Sequence, residues 1–204
     1  MKWTLQILPA ILLMAGITAC SPKVLAPQQN ESATRPMAAE TVYPLTTRTG
    51  IEEIDRILDA SSDVQKLRSL IQFTSTKCTK LDGLGGPPKC PPGEEDGTPV
   101  DVLPFLGPEG YFLRKDEIKN WQGFEVSGLF AIYEVSPNAF SDENYPAGKY
   151  ATLFVGKENQ PAVSLRVSNG WIVRVDTIFD HSPESLGAIL QREAARLILA
   201  PMTR

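Results

Sequence analysis

The chain has 204 residues, of which 42% are hydrophobic and 22% charged, a composition that suits one globular domain with a tail. Its formal net charge is −4, and no cluster of Lys and Arg interrupts the acidic balance. That excludes the electrostatic footprint of a nucleic-acid-binding protein.

A single Lys2 opens the chain, an apolar run follows from Trp3 to Ile17, and Ile17-Thr18-Ala19-Cys20 closes it. The run is shorter than the ~20 residues of a membrane-spanning helix, and it holds Gln6 and Pro9. An aliphatic residue, two small residues and a cysteine resemble the lipobox of bacterial lipoproteins. The competing reading is an ordinary secretory signal with a cysteine there by chance. The resemblance implies that residues 1–19 are a signal peptide and that Cys20 becomes the first mature residue. Its sulfur would carry diacylglycerol and its amine an acyl chain, enough for stable anchoring. The partner so implied is a membrane, and the location extracytoplasmic, on the cell membrane or an outer membrane. Loss of residues 1–19 removes only Lys2, leaving a net charge of about −5.

Residues 20–48 read as a flexible tether, with scattered prolines and no periodicity, ahead of a single domain over 49–204. Thr49-Gly50-Ile51-Glu52 predicts a capping box, and Ile51, Ile54, Ile57 and Leu58 a helix to about Ala60. Ser62-Asp63-Val64-Gln65 predicts a second cap, with Val64, Leu67, Leu70 and Ile71 carrying a helix to about Phe73. Then comes the least regular stretch, in which Cys78 and Cys90 bracket three glycines and two prolines. With Cys20 committed to lipid and the protein exported, the remaining pair reads as a disulfide. Closing that ring is worth about 3 kcal/mol in the loop-entropy model. Free thiols or a metal pair are the alternatives, but two cysteines without nearby histidines make a poor zinc site.

After the clip, Pro99 to Phe105 predicts a short strand whose two prolines confine it to a sheet edge. Gly107 to Gly110 turns the chain, and Asp116 to Trp121 fits one helical turn. Phe124 to Val135 predicts a long central strand and Lys149 to Val155 the next, with Tyr150 and Phe154 on one face. Val163, Leu165 and Val167 alternate before Ser168-Asn169-Gly170, and Trp171, Val173 and Val175 after it. A three-residue loop places all six on one face, whereas a two-residue Asn-Gly turn splits them, so the pattern predicts the longer loop. Finally Ser182 caps a helix with Pro183 at its first position and a stripe of Leu186, Ile189, Leu190, Ala194, Leu197 and Ile198.

Chemistry-bearing residues are sparse. His181, the one histidine, has Asp180 and Ser182 beside it, but chain neighbours rarely meet as a triad, and a capping turn explains it. Glu94-Glu95-Asp96 and Ser141-Asp142-Glu143-Asn144 lack the spacing of a calcium loop and read as solvated. Gly83-Leu84-Gly85-Gly86 lacks the Lys-Ser/Thr of a phosphate cradle and reads as turn chemistry. No catalytic residue, metal ligand or cofactor is assigned. Among aromatics on strands, Phe130, Tyr133, Tyr150, Phe154 and Trp171 are the candidates for lining a pocket.

The element order predicts an α+β domain: an N-terminal helix pair, a curved antiparallel meander of about 4–5 strands, and a C-terminal helix. The arrangement resembles the cone-shaped rolls of the nuclear transport factor and ketosteroid isomerase superfamily, or a cystatin-like sheet on a helix. That is a resemblance of architecture, and it implies no activity. The expected function is a tethered, non-enzymatic module that binds a small ligand or another envelope protein. An envelope enzyme with a carboxylate-lined cavity and a structural envelope or spore-coat lipoprotein are the alternatives.

Overall fold

The computed structural model describes residues 42–81, 83 and 86–202, so the lipobox, Cys20, Leu84 and Gly85 lie outside the described residues. Residues 42–48, tether by composition, are already part of the fold. Tyr43 pairs with Leu129 through two backbone hydrogen bonds, and its hydroxyl donates to the Ala200 carbonyl at 2.9 Å.

Helix α1 spans Glu52–Ala60 and α2 spans Val64–Ser69. Both start differently from the capping boxes read in the sequence. At α1 it is Asp55, not Glu52, that reaches back, accepting from the Thr49 amide (2.7 Å), the Thr49 hydroxyl (2.8 Å) and the Gly50 amide (3.0 Å). Partial burial pushes the Asp55 carboxyl up, but those hydrogen bonds together hold it below the usual carboxylate range. At α2 the cap is Asp63 rather than Ser62, accepting from the amides of Gln65 and Lys66. Helix α2 stops at Ser69 because the next residues join the sheet: Ile172 N–H donates to the Leu70 carbonyl and Gln72 N–H to the Ile172 carbonyl.

The sheet has eight strands rather than four or five. They are β1 (Thr74–Lys77), β2 (Pro99–Leu106), β3 (Tyr111–Arg114), β4 (Val126–Val135), β5 (Tyr150–Gly156), β6 (Ala162–Ser168), β7 (Trp171–Ile178) and β8 (Ala194–Leu199). Their order is β1-β2-β7-β6-β5-β4-β8, with β3 on the other side of β2. All pairs are antiparallel except β2 and β7, which run parallel over two residue pairs, Phe105 with Val175 and Leu106 with Asp176. The fold is therefore α+β on a mixed sheet, not an antiparallel meander.

Strand β2 is interior, not an edge. Val102 pairs with both Thr74 and Arg114, and Phe105 with both Tyr111 and Val175. Strands β1 and β7 thus share one side of β2, and β3 takes the other. Its prolines are tolerated because Pro99 opens the strand and Pro104 falls between the β1 and β7 pairings, where it interrupts neither.

The β6–β7 hairpin corrects the predicted loop. Ser168 pairs with Trp171, and Asn169 (φ 52°) and Gly170 (φ 75°) form a two-residue turn with both central residues left-handed. Face-matching is restored inside the strand instead. Val167 pairs with Ile172, and a bulge at Val173 lets Leu165 pair with Val175. The local preference of Asn-Gly and the demand of the buried face are both met, at the cost of one unpaired residue.

Helix α3 spans Pro183–Glu193, with the Ser182 hydroxyl accepting from the Ser185 amide. It ends at Glu193 instead of continuing past Ile198, because β8 starts at Ala194 and pairs with β4. The two sheet faces carry separate cores. On one, Ile54, Ile57, Leu58 and Leu67 of the helix pair pack with Leu129, Phe154, Leu165 and Val175. On the other, Leu186 and Leu190 of α3 pack with Phe130, Tyr133, Ala151 and Leu153.

Cys78 and Cys90 are disulfide-bonded. The clip is tied to the chain that follows it: Cys78 N–H donates to the Thr98 carbonyl, Gly97 N–H to the Cys78 carbonyl, and Lys80 N–H to the Asp96 carboxylate. Lys80 also pairs with Glu95 at 3.1 Å. The acidic loop is thus held against the clip by the clip's own lysine.

Candidate functional site

The five aromatics considered for a pocket do not converge. Phe130 and Tyr133 face α3, Tyr150 and Phe154 face the helix pair across the sheet, and Trp171 sits at the hairpin turn, 39% exposed, under the Arg56 guanidinium at 5.0 Å. Strand alternation accounts for this: Tyr150 and Phe154 differ by an even step, and the bulges of β4 set Phe130 and Tyr133 facing the other way.

Two other constellations stand out. The first is a buried charge cluster under α3. Arg166 on β6 and Arg174 on β7 are cross-strand partners with side chains 1% exposed, an arrangement that would repel without counterions. Asp176 lies between them, accepting from Arg166 Nε (2.7 Å), Arg174 Nε (2.6 Å) and Arg174 Nη2 (3.1 Å). Glu193, the last residue of α3, accepts from Arg166 Nη2, from the Tyr133 hydroxyl (3.3 Å) and from Arg192 (2.7 Å). Arg174 Nη1 donates to the carbonyls of Phe140 and Tyr145, pinning the β4–β5 connection.

The two buried guanidinium groups and the two carboxylates cancel, the mostly exposed Arg192 adds a cation at the rim, and Arg166 Nη1 is buried without a hydrogen-bond partner among the described residues. Burial pushes Glu193 up, but Arg166 and Arg192 outweigh it and hold the carboxyl below its ordinary range. Burial pushes the Tyr133 hydroxyl up to about 12. A general acid working near neutral pH needs a carboxyl raised toward 7. Glu193 is shifted the opposite way, and the chemistry of the cluster is that of a clamp joining β4, β6, β7 and α3.

The second is a cleft of about 410 Å³ at the corner where β2 turns into β3 beside the end of β7. Thr177 on β7 and Phe179, one residue beyond its last, both line it. Phe105 stacks on Tyr111, its cross-strand partner, with centroids 4.3 Å apart, and meets Trp121 edge-on at 6.1 Å. Leu106, Pro108 and Thr177 complete the apolar wall, and Glu109, on the four-residue loop between β2 and β3, is the one charged residue in the lining. Phe179 is 64% exposed and Tyr111 52%. Burial of the rest of the Tyr111 side chain pushes its hydroxyl up to about 12, which leaves the ring neutral at physiological pH.

None of these cleft residues was marked in the sequence as a pocket. The available signal was the alternation Val175-x-Thr177-x-Phe179 running past the strand into an exposed aromatic. His181 is buried (6% exposed) with Nδ1 unpartnered, next to the cap of α3. Among the described residues no three His, Cys, Asp or Glu side chains are placed to hold a metal ion, and no helix is long and apolar enough to cross a membrane. Comparisons of the chain with protein-family models, with curated proteins and with solved structures find no match.

Proposed function

We propose that the protein is a lipid-anchored extracytoplasmic binding module whose ligand seats in the corner cleft between the β2–β3 loop and Phe179. One observation carries the reading: an apolar cleft of about 410 Å³ is flanked by two aromatic rings that the core does not absorb, Tyr111 and Phe179. Concave apolar sites of this size with a few fixed polar groups are the usual form of small-ligand sites. Exposed aromatics cost solvation unless something covers them. The anchoring half of the proposal rests on the lipobox-like Ile17-Thr18-Ala19-Cys20. A disulfide between Cys78 and Cys90 accords with an oxidising compartment.

The anchoring half is tested by intact mass spectrometry of the protein from the membrane fraction, where the N-terminal residue is expected to be Cys20 carrying diacylglycerol and an acyl chain. The binding half is tested in lipid nanodiscs with a photo-crosslinking residue at position 179, and with one at position 158 as control. A small-molecule adduct at 179 that is absent at 158 supports the cleft. Equal labelling at both sites, or none, refutes it.

A further inference from the structure

We infer that the ligand of the corner cleft is a small organic cation, an apolar body bearing an alkylammonium group. This rests on the cleft being the ligand site and names the chemistry it selects.

The cleft offers three recognition elements, and all three favour positive charge. Tyr111 is stacked on Phe105 through one face at 4.3 Å, and at 52% exposure it keeps another face toward solvent. Phe179, 64% exposed, is a second open ring on the same cleft. Aromatic faces carry the negative side of the ring quadrupole, so an ammonium group within about 6 Å of a ring is attracted and an anion repelled. The third element is Glu109, exposed on the β2–β3 loop, for which the described residues supply neither a hydrogen bond nor an ion pair. Its neighbours in sequence, Pro108 and Gly110, carry no charge, and no Lys, Arg or His lines the cleft.

The contrast with the rest of the molecule sharpens the point. Trp171, 39% exposed, already has the Arg56 guanidinium over its ring at 5.0 Å. Among the described residues no cation lies over Tyr111 or Phe179, the two rings that share a cleft with Glu109. A hydrated inorganic cation would gain little from the apolar wall of Phe105, Leu106 and Pro108, whereas an alkylated ammonium buries its methyl groups there and keeps its charge near Glu109. An anionic or neutral ligand would leave Glu109 repelled or unused.

The experiment uses the full-length mature protein in nanodiscs of phosphatidylglycerol, which has no ammonium headgroup. Choline is compared with 3,3-dimethylbutan-1-ol, its neutral carbon isostere of nearly the same shape, by saturation-transfer NMR titration at low ionic strength. The expected result is at least fivefold tighter binding of choline than of the isostere, the ratio that about 1 kcal/mol of cation–π and charge attraction produces. Glu109→Gln should weaken choline roughly fivefold and leave the isostere unchanged. Phe179→Ala, at a position exposed enough to leave the fold intact, should weaken both and choline more. Equal binding of the two probes, or insensitivity of choline to Glu109→Gln, overturns the inference while leaving the cleft a ligand site. Binding of neither probe, or binding only when phosphatidylcholine is put into the nanodisc, overturns it as well, and binding of neither counts against the cleft reading itself.

Discussion

Asp176 is the hinge of the buried charge cluster, and its removal should cost more than removal of either arginine it serves. In Arg166→Met, both carboxylates keep a cation: Asp176 stays bonded to Arg174 at 2.6 and 3.1 Å, and Glu193 stays bonded to Arg192 at 2.7 Å. In Asp176→Asn, Arg166 falls back on Glu193 alone, and Arg174 keeps only the carbonyls of Phe140 (3.0 Å) and Tyr145 (3.3 Å), with its charge 1% exposed. Breaking a buried pair by deleting one partner costs about 3–5 kcal/mol, because an uncompensated charge stays behind. We therefore place Asp176→Asn near 4–5 kcal/mol and Arg166→Met near or below 3. For a domain of this size, at about 2–4 °C per kcal/mol, the former is a loss of roughly 8–20 °C in Tm. Urea unfolding at pH 7, followed by circular dichroism with matched m-values, measures both. If Arg166→Met proves as costly as Asp176→Asn, or if Asp176→Asn stays within about 1 kcal/mol of wild type, the hinge assignment is wrong.

Three further outcomes are expected. Cys78→Ser with Cys90→Ser should lower stability by about 3 kcal/mol, and dithiothreitol should lower the Tm of the wild type but not of the double variant. Gly156→Ala should destabilise by about 2–3 kcal/mol in the same urea assay, because a Cβ there would lie 2.2 Å from the Gln160 carbonyl oxygen and 2.4 Å from that of Pro161, both backbone atoms. Tyr133 has a folded-state pKa raised from 10.0 to about 12 by burial. Its contribution is therefore complete below pH 10 and drains as pH rises toward 12, so Tyr133→Phe should flatten the alkaline limb of a stability profile.

Much of the framework could be read from residue periodicity. The stripe Ile54, Ile57 and Leu58 and the alternations in β5, β6 and β7 report burial on one side, and burial does not depend on which strand is the neighbour. What periodicity cannot carry is pairing partner. Thr74–Lys77 has no apolar alternation because only its ladder with β2 makes it a strand. Ala194–Leu199 continues the helical stripe of α3, yet pairs with β4: the preference of the segment is overridden by backbone bonds on an open edge. The hairpin is instructive in another way. Pattern alone demanded a longer turn, but the bulge at Val173 resolved the same conflict inside the strand. The disulfide was legible because cysteine chemistry is sparse, whereas the charge cluster needed Arg166, Arg174 and Asp176 placed in register on one face. Polar residues on a strand ordinarily mean a solvated face, and here a helix covers them.

The division of the two sheet faces leaves the corner as the place for the proposed ligand. Under α3 the inward positions of β6 and β7 are charged and paired to neutrality, and they draw in the helix end through Glu193 and the β4–β5 connection through Arg174. A ligand entering there would have to displace ion pairs that cost several kcal/mol each to expose. On the opposite face, α1 rests on β6 and β7. Where β2 meets β7 the ladder lasts only two residue pairs before the chain turns off at Gly107. Beyond Asp176 the β2 side of β7 therefore has no paired strand, although β6 accompanies its other side to Ile178, while Phe105 and Tyr111 stand on the diverging hairpin. The short parallel ladder both joins the two halves of the sheet and leaves their ends apart. A bond across the junction should fill the cleft: a disulfide introduced as Gly107→Cys with Thr177→Cys, two lining residues where a Cβ at Gly107 lies 3.7 Å from the Thr177 Cβ, fits the Cβ separation such a bond needs and puts its two sulfur atoms into the lining. Oxidation of that pair should abolish choline binding and its reduction restore it, with the Tm unchanged or raised; binding that persists in the oxidised form would place the ligand elsewhere.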